Sequence, residues 1–186
     1  MSRDILPIPE NIEIFHEGFT MYIRRKWFSP IFIFLTFFVI FWDGFLVVWY
    51  GLATSMDAPL VFKIFPLIHV AVGLGLTYYV IAGYINKTDV IVSSSEIRIR
   101  SFPLPWLGDK TVDARDITQL YTKEIITRNK NGGTSSSYEV HLINTEGRQK
   151  RLIRGLNTKE EGLYMEKKIE EYLQIRDEGV SGEVYQ

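Results

Sequence analysis

Asp43 and His69 are the residues whose chemistry first asks for an explanation, because each is a polar side chain inside a long apolar run. Asp43 is the one formal charge between Phe28 and Gly51, and His69 lies in Leu60 to Ile85, where Lys63 is the one charged side chain. A carboxylate in hydrocarbon costs about 3 kcal/mol on insertion scales, which favours a partner or the neutral form. If both runs are antiparallel helices, the rise per residue puts Asp43 about 10 Å below Tyr50 and His69 about 14 Å below Leu60, at comparable depth and within reach of each other. Such an intramembrane polar pair has two readings: a proton- or ion-handling site in an oligomeric transport or conducting component, or a polar clasp locking the helices together. Two spans enclose no path unless protomers assemble, which favours the clasp. Gly44, Ala71 and Gly75 would permit close approach of the two helices.

Outside these runs the candidates are basic. Arg98, Arg100 and Lys110 flank the loop Pro103 to Gly108, which carries Trp106. A basic loop with an aromatic tip can dock on anionic headgroups, each cation contributing about 1 kcal/mol near the surface. Asp109 and Asp113 dilute that charge, so a solvated strand face is the favoured reading. Arg148, Lys150, Arg151 and Arg154 form the densest basic cluster; it can meet phosphate or lipid, or pair with the glutamates of the C-terminal helix, the commoner outcome for such runs. His16 and His141 sit in no HxxxH or HExxH spacing, no DxDxDG is present, and Gly132-Gly133-Thr134 lacks the lysine and helix start of a phosphate loop. There is no GxSxG elbow and no cysteine, so thiol chemistry and disulfides are excluded. The expectation is a non-catalytic protein with no cofactor and no metal. A net charge of −1 in 186 residues also lacks the basic surplus of a nucleic-acid binder.

The elements that must position these residues are a transmembrane helical hairpin, 28–85, with spans 28–51 and 60–85. Each has the ~20 apolar residues needed to cross a hydrocarbon core, and a helix pairs every backbone polar group within its own segment. The 27 residues before Phe28 and the length of the run do not fit a cleaved secretory signal. Arg24, Arg25 and Lys26 precede the first span and Lys87 follows the second, against Asp57 in the connection, so the positive-inside rule places both termini in the cytoplasm. Trp27, Trp49 and Tyr50 fit interfacial anchors.

Before the hairpin, residues 1–27 form an arm with two short strands, Ile12 to Phe15 and Phe19 to Ile23, around a His16-Glu17-Gly18 turn; they need a sheet to join. After it comes a soluble domain, residues 88–176, in which the pattern changes to period two from Thr88. Val90 and Val92, then Ile97 and Ile99, face one side with Arg98 and Arg100 on the other. Further strands follow at Lys110 to Asp113, Ile117 to Thr127, Tyr138 to Leu142 and around Lys150 to Arg154, separated by the flexible loop Arg128 to Ser137 and the turn Asn144 to Gly147. Thr158-Lys-Glu-Glu161 is a capping box, opening a helix whose stripe is Met165, Ile169, Tyr172 and Leu173 with Glu166, Lys167, Lys168, Glu170 and Glu171 elsewhere. Residues 177–186 are expected to be a disordered tail.

In order, these elements resemble the pleckstrin-homology-like (PH-like) domains of small bacterial membrane proteins that combine a two-helix hairpin with such a domain. The resemblance rests on the Arg24-Arg25-Lys26-Trp27 approach, the strand Thr88-Asp89-Val90-Ile91-Val92, the turn Phe102-Pro103-Leu104-Pro105 and Ile117-Thr118-Gln119-Leu120-Tyr121, over roughly Ile12 to Leu173. It implies a membrane hairpin plus an α+β soluble domain, a PH-like antiparallel barrel or sandwich capped by one C-terminal helix, at the bacterial plasma membrane. It also implies a binding or scaffolding role toward a protein partner or lipid surface. The expected partners are the bilayer, a protein and a second copy of the chain, without nucleic acid.

Overall fold

The computed structural model describes residues 7–128 and 132–184. The beginning of the expected N-terminal arm (1–6), part of the expected loop from Arg128 to Ser137 (129–131) and the end of the tail (185–186) lie outside the described residues. The chain is a mixed α+β protein of two compact units, one formed by residues 26–86 and the other by the two flanking stretches, 1–25 and 87–186.

In the flanking unit, β1 (Ile12–Glu17), β2 (Thr20–Lys26), β3 (Lys87–Val92), β4 (Glu96–Phe102) and β5 (Lys110–Asp113) form one sheet in sequential order. His16 and Glu17 belong to β1, and the turn is the pair Gly18-Phe19, with Gly18 at φ 59°. β2 lies beside β3, so the strands before the apolar run join the sheet that follows it. The second sheet is β6 (Ile117–Arg128), β7 (Thr134–Asn144) and β8 (Gln149–Leu156), with β6 and β8 at its edges. The two sheets share no ladder, so the structure shows two open antiparallel sheets rather than a closed barrel. Between them, Ile23, Val90, Val92, Ile97, Leu120, Val140, Leu142, Leu152 and Leu156 are buried together with Met165 and Ile169 of the closing helix α4 (Lys159–Leu173).

At the start of α4 the Thr158 half of the capping box forms, while the glutamate reaches one residue further back than the box requires. Thr158 Oγ1 accepts from the Glu161 N–H at 3.3 Å, while the Glu161 carboxylate accepts from the Asn157 N–H at 3.4 Å. Glu161 is buried because it also takes hydrogen bonds from Arg25 Nε (3.0 Å) and Asn11 Nδ2 (3.1 Å). Arg24 is used similarly. It forks onto the buried Asp89 with two bonds of 2.7 Å, its guanidinium 4.9 Å and 5.2 Å from the ring centres of Phe15 and Phe102. Two of the three cations that precede the first apolar run, Arg24 and Arg25, are therefore structural partners of buried carboxylates in the folded protein.

The other unit is a helical hairpin of α1 (Ile31–Ser55), α2 (Leu60–Ile64) and α3 (Leu67–Ile85). The second run is not one helix: Pro66 has no N–H for the Phe62 carbonyl and splits it. Trp49 Nε1 donates to that orphaned Phe62 carbonyl at 3.1 Å, and Tyr50 Oη donates to the Lys63 carbonyl at 3.0 Å, so these aromatics repair the break. Along α1 the buried residues are Phe32, Val39, Leu46 and Ala53, seven apart; on α3 Gly73 and Val80 repeat the interval. A seven-residue period is the seam of two helices in a left-handed pair. Much of the surface off the seam is bare, including Phe34, Phe37, Ile40, Phe41, Val47 and Leu74, all at least 65% exposed.

Candidate functional sites

Asp43 and His69 do not meet. Asp43 Oδ2 accepts from Thr77 Oγ1 at 2.8 Å, and its other oxygen lies where a side chain on Gly73 would begin. The His69 ring stacks on Trp42 at 5.8 Å and packs on Phe65 at 5.5 Å, with Nδ1 buried and without a hydrogen-bond partner among the described residues. The reason is register. α1 runs on to Ser55, so Asp43 lies about 18 Å from its outer end, whereas α3 begins at Leu67, which puts His69 about 3 Å and Thr77 about 15 Å along it. The close approaches also fall elsewhere than expected. Gly44 and Gly75 face open space and Ala71 is exposed, while Gly73 meets Asp43 and Trp42 and Gly83 meets the Phe32 ring.

The basic residues split between faces. Lys110 is opposite Ile99 in the β4–β5 register, on the inner face, whereas Arg98 and Arg100 project outward. Arg98 pairs with Glu96 at 2.9 Å. Lys110 reaches across to β8, donating to the Arg151 carbonyl, and Arg154 donates to the Leu107 carbonyl at 3.0 Å. The loop of the half-buried Trp106 is thereby tied to the second sheet, and Lys110 does not stand beside Arg98 and Arg100. Burial, then the nearby Arg151 and Arg154, push the Lys110 ammonium below its usual range. The cluster of Arg148, Lys150, Arg151 and Arg154 does not turn to α4: Arg148 pairs with Glu146 at 3.2 Å and Arg151 with Glu139 at 3.1 Å. His141 also bonds Glu139, at 2.9 Å, and His16 lies exposed on β1.

The sequence reading missed the carboxylates of α4. Glu166 and Glu170, expected on its solvent side, are each 5% exposed. Thr122 of β6 donates to Glu166 at 2.6 Å, and Gln119 of β6 donates to Glu170 at 3.4 Å. Residues 175–184 lie over them and line, together with α4, a half-open groove of about 620 Å³. The expected disordered tail is thus a placed segment as far as Val184, whose N–H donates to the Thr122 carbonyl on the free edge of β6 at 2.9 Å. Burial is the main cause that raises Glu166 to about 7 and Glu170 to about 8; the Glu166 carboxylate comes next for Glu170, and Asp177 and Glu183 of the covering segment push both the same way. A periodicity rule assigns these glutamates to water because it sees one helix and not the tail that returns over it.

Among the described residues no group of three His, Cys, Asp or Glu is arranged to hold a metal ion. Compared with known proteins, the sequence matches no family model and no curated protein.

Proposed function

We propose that this chain is a membrane-anchored binding module: α1 and α3 cross the bacterial plasma membrane as a hairpin, and the β-rich unit is a PH-like domain that engages a protein partner or lipid surface without catalysis. The observation that carries this reading is the bare apolar surface of the hairpin. A buried core helix of a soluble protein hides most of its side chains, whereas about a sixth or less of the best apolar window of each span is covered here. Two antiparallel sheets capped by one C-terminal helix support the PH-like resemblance, and Lys26 and Lys87 beside the spans support cytoplasmic placement of both flanks. The Asp43–Thr77 bond closed over by Gly73 supports a clasp rather than a conducting site.

Anchoring gives the mechanism. A tethered module meets partners at the membrane at an effective concentration set by the tether, so the domain needs no tight lipid affinity of its own. The test is fractionation with topology. The full chain is expected to stay in the pellet after alkaline carbonate extraction, and a tag after Gln186 is expected to resist protease added outside intact cells. Recovery in the soluble fraction without detergent overturns the anchor, and cleavage of the tag in intact cells overturns the cytoplasmic placement. Crosslinking in native membranes then identifies the partner.

A further inference from the structure

We propose that residues 177–184 form a proton-controlled strap, closed over α4 and the free edge of β6 while Glu166 and Glu170 are protonated and released when they ionise.

The geometry is that of a cover held by few bonds over groups that water would charge. The strap is fixed at its far end by the Val184 N–H on the Thr122 carbonyl and shaped by the Val180 N–H on the Glu183 carboxylate at 2.8 Å. Thr122 is the hinge of the arrangement. Its carbonyl holds the strap while its hydroxyl holds Glu166, so one residue joins the cover to the group covered. The faces around the two carboxylates are unequal. From β6 come Thr122 and Gln119, which do not titrate; from the strap come Asp177 and Glu183, both acidic; on α4 itself Lys167 and Glu171 line the same groove. β7 and β8 supply the core residues Val140, Leu142, Leu152 and Leu156, with Tyr138 of β7 nearer Glu160 at the helix start. Ionising Glu166 and Glu170 therefore places two negative charges on side chains only 5% exposed, opposite two more on the strap. Opening the strap hydrates the first pair and separates it from the second.

The sign follows. Burial and the strap's own charges raise both carboxyls when the strap is closed, so closure binds protons and opening releases them. Closure is favoured below about pH 4.5, the ordinary glutamate value, and is lost as pH rises through about 7 and about 8. Release uncovers the β6 edge, whose free backbone groups are suited to pair with an extended segment.

The absence of native cysteine makes a distance measurement direct. T127C on the exposed end of β6 and S181C on the strap, in the full chain in detergent, carry spin labels for a pulsed dipolar measurement at pH 5.5, 7 and 8.5. One short distance is expected at pH 5.5, giving way at pH 8.5 to a broad, longer distribution in most molecules. With E166Q and E170Q added, the short distance is expected at every pH. With D177N and E183Q instead, both side chains staying hydrogen-bond capable, the transition is expected to move to higher pH. A wild-type distance that does not change with pH overturns the proposal. So does a transition that keeps its midpoint in the D177N/E183Q chain, which remains decisive if the α4 double variant fails to fold.

Discussion

Gly75 and Gly83 lie eight residues apart on α3, and only one of them is under load. An added methyl at Gly83 would run into the Phe32 ring, which the seam holds in place, whereas at Gly75 it would meet nothing within 4 Å. Overpacking a tight contact costs typically about 1–3 kcal/mol, so G83A is expected to lower the thermal stability of the protein in detergent and G75A to leave it unchanged. Equal behaviour of the two would remove the helix register described above. Arg24 offers a second test. Its bidentate bond is the partner of Asp89, whose side chain is 7% exposed, and removing one member of such a pair costs about 3–5 kcal/mol when fully buried. The Arg24 side chain is 27% exposed, so the lower end applies. R24A is expected to cost about 3 kcal/mol in urea unfolding of the β-rich unit, and R24K part of it, because lysine keeps the charge and loses the fork.

At the scale of elements, what could be read from the sequence was what depends on one segment. The alternation in β3 and β4, the Thr158 cap of α4 and the helical character of the two apolar runs are local, and each is present, although Pro66 divides the second run. What could not be read needs two segments at once. The depth match of Asp43 with His69 assumed a second span counted from Leu60, and Pro66 with the extension of α1 to Ser55 moved the residue facing Asp43 from His69 to Thr77, about two helical turns along α3. The seven-residue spacing of Phe32, Val39, Leu46 and Ala53 was present all along, but in a run where nearly every residue is apolar no periodicity stands out. Glu166 and Glu170 were hidden for the converse reason: they look solvated on α4 alone. Their burial makes the stability of this unit pH-dependent. Each is raised when folded, so its stabilising contribution is full below about pH 4.5 and lost as pH rises through about 7 and about 8. The melting temperature of the β-rich unit is expected to fall from pH 6 to pH 9. Strap opening limits that fall, because it hydrates both groups, and a loss of 1 kcal/mol corresponds to about 4 °C in a domain of this size. E166Q/E170Q is expected to flatten the profile, and a melting temperature that rises over this range would contradict the buried placement.

For the whole molecule, the order of the sheet makes the hairpin an insertion. β2 ends at Lys26 and β3 begins at Lys87, yet they are neighbours in one sheet. The Trp27 N–H donates to the Asn86 carbonyl at 3.2 Å, which brings the two ends of the hairpin together. A chain that leaves and returns at adjacent points can lose what lies between without losing register, since domain insertions are tolerated where the flanking ends are close. Excising residues 28–85 and joining Trp27 to Asn86 through two or three glycines is therefore expected to give a detergent-free, monomeric β-rich protein that unfolds cooperatively. The Arg24–Asp89 and Arg25–Glu161 pairs lie outside the excised segment and hold β2 against β3 and α4 on their own. Circular dichroism and a urea titration check the outcome. If the shortened chain is soluble but unfolded, the strands before the hairpin depend on it for their place in the sheet, and the anchor is then a folding partner of the domain.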